Sequence, residues 1–303
     1  MYQQIRSFFF ENDVLEVETP IFSHAGNPDP CIDNLTANFS AGNSNYPMIR
    51  YAHTSPEFAM KRLLAQGVGS MFQICKVFRR GELGRLHNPE FSMLEWYRLE
   101  FSYSELMDEI ESLLSELAIA DTCTRISFAD LFMRYLGVDI LNASMDELKQ
   151  LAKQKKLDVV GLADDYNTWC NLLLSHLIEP ELKQYKALFV YDYPVSQAAL
   201  ATIRPGKPGV AERFELYLNG IEIANGYQEL TDSNEYLDRF NRENHQRLKQ
   251  GLEEIPVDKK MLSAMQAGLG KCAGVAIGLD RLLMCRLKAT SIGDVLIFPF
   301  NDA

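Results

Sequence analysis

The sequence predicts an α+β fold, a mainly antiparallel sheet flanked by helices, and three observations carry that reading. Strand-like segments at 71–79 and 90–99 are joined by the polar loop 80–89, as in a hairpin. Strands and helices along the chain do not strictly alternate, which argues against a doubly wound parallel sheet. Neither GxGxxG nor GxxxxGK[ST] occurs, so dinucleotide-fold and P-loop readings lose their main support.

Residues 2–11 carry Ile5, Phe8 and Phe9 at helical spacing, and the helix breaks at Asn12-Asp13, a pair that tolerates a left-handed cap. Val14, Leu15, Val17 and Ile21 read as a strand, with Pro20 near its end. A strand-rich stretch at 47–53 leads to a helix start near Thr54, where Thr54-Ser55-Pro56-Glu57 is both a capping box and a Pro-led first turn. After the hairpin a helix is expected at about 103–118. Residues 125–185 read as mostly helical, forming an insertion at about 119–186 in an otherwise single domain spanning 1–303. The run Lys153–Lys156 is a solvated helix end. Strands return at 187–192 and 212–223, helices at 233–250 and 259–267. The chain closes with a small-residue strand at 272–278, a helix after Asp280 and a short strand at 294–298.

A chain of 303 residues, 47% hydrophobic and 23% charged, buries about three quarters of its unfolded surface and needs no disulfide or metal staples. Its 30 basic against 41 acidic residues give a net charge of −11, which argues against broad nucleic-acid binding. Apolar runs fall far short of the ~18 residues of a membrane span, and the first residues lack a signal-peptide core. The six cysteines form no CxxC pair, so zinc and dithiol sites are not expected and the thiols read as reduced. The expectation is an acidic cytoplasmic protein.

Three segments can carry chemistry. In the first, Arg79 ends one strand, a polar loop holds Glu82, His87 and Asn88, and Phe91 opens the returning strand. Such a hairpin can hold a phosphate on the guanidinium while a base stacks on the ring. A period of two places Phe91, Met93, Glu95 and Tyr97 on one face, and a buried acid there needs a partner. A ligand ammonium group and an internal arginine both satisfy Glu95. In the second segment Glu222 and Glu229 are seven apart, and Asn225-Gly226 between them can supply a turn or bulge that brings them together. Carboxylates converging with an amide suit Mg²⁺ on a triphosphate; a solvated hairpin is the other reading. In the third, Gly274, Ala276 and Gly278 leave a strand open to a flat ligand, and Arg281 at the following helix start can meet a phosphate. His24, His53, His176 and His245 lie outside these segments and read as structural or surface residues.

Taken together, the segments resemble the class II aminoacyl-tRNA synthetases, in the lysyl branch. The helix–strand unit ending in ETPIF (Glu18–Phe22) looks like motif 1, the dimer-forming element; FRRGELGRLHNPEF (Phe78–Phe91) looks like motif 2; GVAIGLDR (Gly274–Arg281) looks like motif 3. HTSPE (His53–Glu57) and ELYLNGIEIANGYQEL (Glu215–Leu230) are lysyl-type in detail. Motif 1 begins at the first residues, so no anticodon-binding module is expected ahead of it. This, with YPVSQAALA (Tyr193–Ala201) and EWYR (Glu95–Arg98), is similar to the truncated paralogues that join β-lysine to elongation factor P. Ala276 stands where lysyl synthetases have glycine, which suits a substrate whose amine is displaced by one carbon. Gly81 stands where motif 2 usually has its adenine-contacting glutamate; either Glu82 swings in or loop carbonyls take over.

The resemblance implies the class II catalytic core and ATP-dependent formation of an aminoacyl adenylate, followed by transfer to a lysine of elongation factor P. Arg79 and Arg281 would be catalytic, holding the α- and γ-phosphates. Glu82, His87, Asn88, Phe91, Ile223 and Gly278 would complete the ATP site, with Glu222 on Mg²⁺. Ser55, Glu57, Glu95, Tyr97, Asn225, Glu229 and Ala276 would hold the amino acid. A homodimer through residues 2–22 is implied, with Phe8, Phe9, Val14 and Ile21 exceeding what one helix–strand unit buries; no membrane partner and no tRNA are expected. The alternatives are a stand-alone enzyme whose acceptor is RNA, and a non-catalytic sensor of nucleotide or amino acid.

Overall fold

The computed structural model describes residues 1–40, 48–157, 159 and 161–303, so residue 47 of the expected strand at 47–53 and residues 158 and 160 of the expected insertion lie outside the described residues. The chain runs α1 (Tyr2–Glu11), β1 (Leu15–Glu16), β2 (Phe22–Ser23), β3 (Thr36–Phe39), β4 (Met48–Ala52), α2 (Glu57–Ala65), β5 (Met71–Phe78) and β6 (Glu90–Leu99). It continues with α3 (Tyr103–Glu116), β7 (Thr124–Ser127), α4 (Phe128–Leu136), α5 (Met145–Gln154), α6 (Tyr166–Leu173), β8 (Ala187–Pro194) and β9 (Ile203–Arg204). It ends with β10 (Val210–Leu218), β11 (Ile221–Gln228), α7 (Ser233–Lys249), α8 (Lys259–Gly268), β12 (Cys272–Gly278) and α9 (Leu279–Leu287). These elements gather into two compact units, residues 1–106 with 229–303, and residues 107–228.

In the first unit β5, β6 and β12 form an antiparallel sheet with β1 added in parallel beside β5, and β2, β4 and β3 make a separate small antiparallel sheet. α1 buries Ile5 and Phe9; the Phe9 ring stacks on Phe72 at 4.5 Å and meets Trp96 edge-on at 5.2 Å. Of the residues expected to be left over for a partner, Ile21 is exposed and Phe8 half-buried, but Phe9 and Val14 are consumed by this core, and Phe10, 82% exposed, and Leu15, 53% exposed, stand out instead. The left-handed residue ending α1 is Asp13, at φ +54°. The strand expected over 14–21 pairs with β5 only at Leu15 and Glu16.

The expected capping box at Thr54–Glu57 does not form. α2 starts at Glu57 with Pro56 before it, and the Glu57 N–H donates to Ser55 Oγ at 3.0 Å. The Ser55 hydroxyl hydrogen goes to Glu95 instead, and the Glu57 carboxylate turns to Lys61. At the C-terminal end, no strand forms over 294–298. Ser291 and Asp294 cap each other across a short 3₁₀ turn at Ile292–Asp294, which bends the chain away from extended geometry.

In the second unit β11, β10 and β8 are antiparallel neighbours, β7 joins β8 in parallel, and β9 pairs with β10. Two Asn-Gly pairs compete for the hairpin turn here, and the first wins. Asn219 and Gly220 have φ of +50° and +79°, so the single strand expected at 212–223 is two strands joined by a tight turn. Asn225-Gly226 therefore lies within β11, opposite Glu215 and Phe214. The bulge is at Ile223: Leu216 pairs with Ala224, but Tyr217 pairs with Glu222. The helices of this unit have strong local starts, Ser127 capping α4 and a Ser144–Glu147 capping box opening α5. They close a core of Phe128, Phe132, Leu148, Leu173 and Tyr193. Strand β7 interrupts the expected helical run, while Lys153, Lys155 and Lys156 are exposed at and just beyond the end of α5.

Candidate active site

The sheet register of the first unit assembles a pocket of acids. On β6, Glu95 stands opposite Ala276 of β12 and Tyr97 opposite Gly274, so all four share one face. Glu95 is 2% exposed. Ser55 Oγ donates to its Oε2 at 2.6 Å and the Tyr97 hydroxyl to its Oε1 at 2.7 Å. Glu57 opens α2 and Lys61 follows one turn later. The Lys61 ammonium lies 2.6 Å from Glu57 Oε1 and 2.5 Å from Glu229 Oε2, forming a bridge between the two acids. Glu229 is anchored by its N–H, which donates to Cys272 O at 3.0 Å. A Cβ on Gly274 would overlap both Glu229 Oε1 and the Tyr97 ring, so the close approach requires glycine there.

Burial, and next the charge of Glu57, lift the Glu95 carboxyl from 4.5 to about 8. Burial also raises Glu229, with Lys61 opposing it. For Lys61 burial favours the neutral amine, but the attraction of Glu229 and Glu57 outweighs it and the group stays charged. Glu57 and Glu229 share one ammonium and Glu95 has only neutral donors, so a cationic ligand here would be attracted and would draw Glu95 into its charged form.

A second cluster lies further along the same strands. The Arg79 guanidinium sits 5.2 Å from the Phe91 ring centroid, and its Nη1 is 3.8 Å from Glu82 Oε1. Gly81 has φ +78°, a left-handed turn that brings Glu82 back towards both Arg79 and His87, whose Nε2 is 3.9 Å from Glu82 Oε2. Arg281 donates from Nε to Leu86 O at 3.0 Å and from Nη2 to His87 Nε2 at 2.6 Å. Burial, then the neighbouring Arg281 charge, push His87 below its usual range and keep the imidazole a neutral acceptor. Gly278 caps α9, and Asp280 Oδ2 accepts the Ser92 N–H at 2.6 Å, which ties the start of that helix to β6. Arg79, Glu82, His87, Phe91 and Arg281 thus form one cluster. Asn88 turns to the chain's own backbone, donating to Glu90 O at 2.6 Å and accepting from Phe300 N–H at 3.0 Å.

In the second unit Glu222 is exposed on β11, Ile223 is buried at the bulge, and Asn225 Oδ1 accepts from Arg213 Nε at 3.2 Å. Two participants there were not singled out from sequence. Arg213 ion-pairs with Glu215, whose other oxygen accepts from the Tyr217 hydroxyl at 2.6 Å. The signal was an acid and a base two apart on an otherwise apolar strand, Arg213 and Glu215. Lys61 was missed as well, its signal being a lysine four residues after Glu57. Arg213 and the Tyr217 hydroxyl take both oxygens of Glu215, so Glu222 is the exposed acid of β11, and a single carboxylate suits magnesium only where phosphate oxygens complete its shell; among the described residues no group of three or more acids, histidines or cysteines is placed to hold a metal by itself.

The family description "tRNA synthetases class II (D, K and N)" matches residues 1–302. The elongation factor P–(R)-β-lysine ligase of Vibrio cholerae serotype O1 is 46% identical over 304 residues, covering 100% of this chain and 94% of that protein. The ligases of Vibrio atlanticus and Mannheimia succiniciproducens are 46% and 43% identical, over 98% and 99% of this chain and 92% and 93% of theirs. The chain belongs to the elongation factor P–(R)-β-lysine ligase family of class II tRNA synthetases.

Membership in this ligase family agrees with the chemistry of both clusters, a cation-seeking pocket and an arginine pair. It also directs attention to Glu95, the acid with both oxygens already held by hydroxyls. Because its carboxyl is raised in the folded chain, it favours the folded state below about pH 4.5, and that contribution is lost as pH climbs to about 8. Replacing Glu95 with Gln is expected to flatten this part of the stability profile, a difference of a few kcal/mol. Thermal melts of both proteins across the range check it; parallel profiles would contradict the assignment.

Proposed function

We propose that the chain activates (R)-β-lysine, or lysine, with ATP and transfers it to a lysine side chain of elongation factor P. The observation that carries this reading is the half-buried Glu57 and buried Glu229 bridged by Lys61, with buried Glu95 beside them, a set that favours a small molecule rich in ammonium groups. The names of the relatives, ligases of β-lysine to elongation factor P, supply the substrate and acceptor. In the first step a carboxylate oxygen of the amino acid attacks the α-phosphorus of ATP and pyrophosphate leaves. In the second, the acceptor ε-amine attacks the carbonyl carbon of the mixed anhydride, AMP departs with the bonding electrons, and the nitrogen loses a proton to water. No enzyme nucleophile is required, so the protein's contribution is positioning and charge stabilisation.

Arg79 holds the α-phosphate and Arg281 the γ-phosphate in this reading, with Phe91 under the adenine and Glu82 taking the place of the motif 2 acid at Gly81. His87, Asn88, Ile223 and Gly278 line the nucleotide. Glu222 would hold magnesium, which neutralises triphosphate oxygens when bound. Ser55, Glu57 and Asn225 orient the reacting end of the amino acid; Glu95, Tyr97 and Glu229 take the distal ammonium; Ala276 limits the space beside the α-carbon. The enzyme acts in the cytoplasm, and its acceptor is a protein rather than tRNA. Among the described residues no helix is long and apolar enough to cross a membrane.

The deciding experiment is intact-mass measurement of purified elongation factor P after incubation with the enzyme, ATP and (R)-β-lysine. One added β-lysyl group is expected; an unmodified acceptor would overturn the reading. Arg79→Ala and Arg281→Ala are each expected to fold normally and to lose more than about a hundredfold in pyrophosphate exchange, about 3 kcal/mol of transition-state stabilisation. Near wild-type exchange in both would refute the phosphate assignment. Ala276→Gly, which removes one methyl, is expected to move the ratio of kcat/KM for lysine over β-lysine upward by roughly 10- to 200-fold. An unchanged ratio means that this position does not set selectivity. The exposed Phe10 and Leu15 belong to a homodimer face along residues 2–22. Sedimentation at micromolar concentration is expected to give a dimer, and Phe10→Asp a monomer; a wild-type monomer would contradict this.

A further inference from the structure

Lys61 has the standing of a core residue without the chemistry of one. It is 1% exposed, among the largest fully buried side chains, yet it carries a charge. Its side chain leaves α2 and ends between Glu57, on its own helix, and Glu229, which is tied to β12 by a backbone hydrogen bond. The bridge spans the two acids at opposite ends of the amino-acid pocket in the reading above. A packing role would be met by methionine or leucine at lower desolvation cost, so a buried ammonium in this position points to the charge itself.

The local charge count is closed by its neighbours. Glu95 has Ser55 and Tyr97 as hydrogen-bond donors but no cation within the set. Beside Glu57, the Glu243 carboxyl is raised by burial, Asp29 and Glu57, with Arg239 and Arg242 opposing. Asp258 accepts the N–H groups of Lys260 and Met261 at the start of α8. Lys61 is thus the cation that the set itself supplies, engaging Glu57 and Glu229, while Glu95 is held by neutral hydroxyl donors.

We propose that Lys61 is a built-in counter-cation that fixes where the ammonium groups of the amino acid sit. By engaging one oxygen of Glu57 and one of Glu229, it sets the separation of the two acids between which the amino acid is held. Lys61 acts through Glu57 and Glu229, so it is a positioning and specificity-determining residue that leaves the nucleotide cluster untouched.

This inference rests on the proposed amino-acid activation, and the test separates the two. Pyrophosphate exchange by the wild-type enzyme with (R)-β-lysine comes first; its absence refutes the activation reading itself. With exchange established, Lys61→Ala is expected to lose at least about 30-fold in kcat/KM for β-lysine while KM for ATP stays within about twofold. Millimolar methylammonium, which can fill the vacated cation position, is expected to restore at least tenfold of that loss. Sodium at the same ionic strength is expected to restore none. Loss without ammonium-specific rescue, or an equal rise in KM for ATP, overturns the proposal. Should Lys61→Ala fail to fold, Lys61→Arg retains the charge but changes the spacing of the acids. It is expected to raise KM for β-lysine at least tenfold with KM for ATP unchanged, and a wild-type KM for both substrates overturns the proposal.

Discussion

One buried ammonium shared by two carboxylates, with a third acid close by, constrains the first unit. Unpaired charge in a protein interior is expensive, so the residues around such a set have little freedom. Lys61 bridges Glu57 and Glu229, and Ser55 and Tyr97 satisfy both oxygens of Glu95. Gly274 has to be without a side chain for Glu229 and Tyr97 to come together against β12. Even the start of α2 yields to this arrangement: Ser55 gives its hydroxyl hydrogen to Glu95 rather than completing a capping box.

The same three strands carry the other half of the chemistry. β5 ends before Arg79, β6 carries Phe91, Glu95 and Tyr97, and β12 carries Gly274 and Ala276 and leads to the helix bearing Arg281. Antiparallel register, with its period of two, therefore sets the arginine cluster at one end of these strands and the acids Glu95 and Glu229 further along. Gly81 turns the loop so that Glu82 meets Arg79 and His87, and Asp280 fastens the start of α9 to Ser92 of β6. An adenylate-forming reaction needs this kind of preorganisation, since the enzyme contributes no covalent step of its own.

Much of this was legible in the sequence, for identifiable reasons. Long periodic elements such as α1, β6, α7 and β12 announce themselves, and period-two spacing alone put Glu95 and Tyr97 on one face. What was not legible depended on competition. Two Asn-Gly pairs offered a turn, and which of them closes the hairpin is decided by pairing between β10 and β11. Ser55 had two possible uses for its hydroxyl, and burial of Glu95 decided between them. Lys61 following Glu57 by four residues reads as an ordinary surface pair; only the arrival of Glu229 from 168 residues further along turns it into a buried bridge. Phe9 and Phe10 are indistinguishable by composition, and the position of Phe72 determines which one is buried.

The central claim is that the acid pocket selects an amino acid by its two ammonium groups and activates it with ATP. Pyrophosphate exchange measured across (R)-β-lysine, lysine, norleucine and glutamate, which differ in the number of ammonium groups and in net charge, tests it most directly. The account predicts exchange with the two diamino acids and none above background with norleucine or glutamate. Exchange with norleucine at a rate comparable to lysine would contradict it, because the buried carboxylates would then have no part in choosing the substrate.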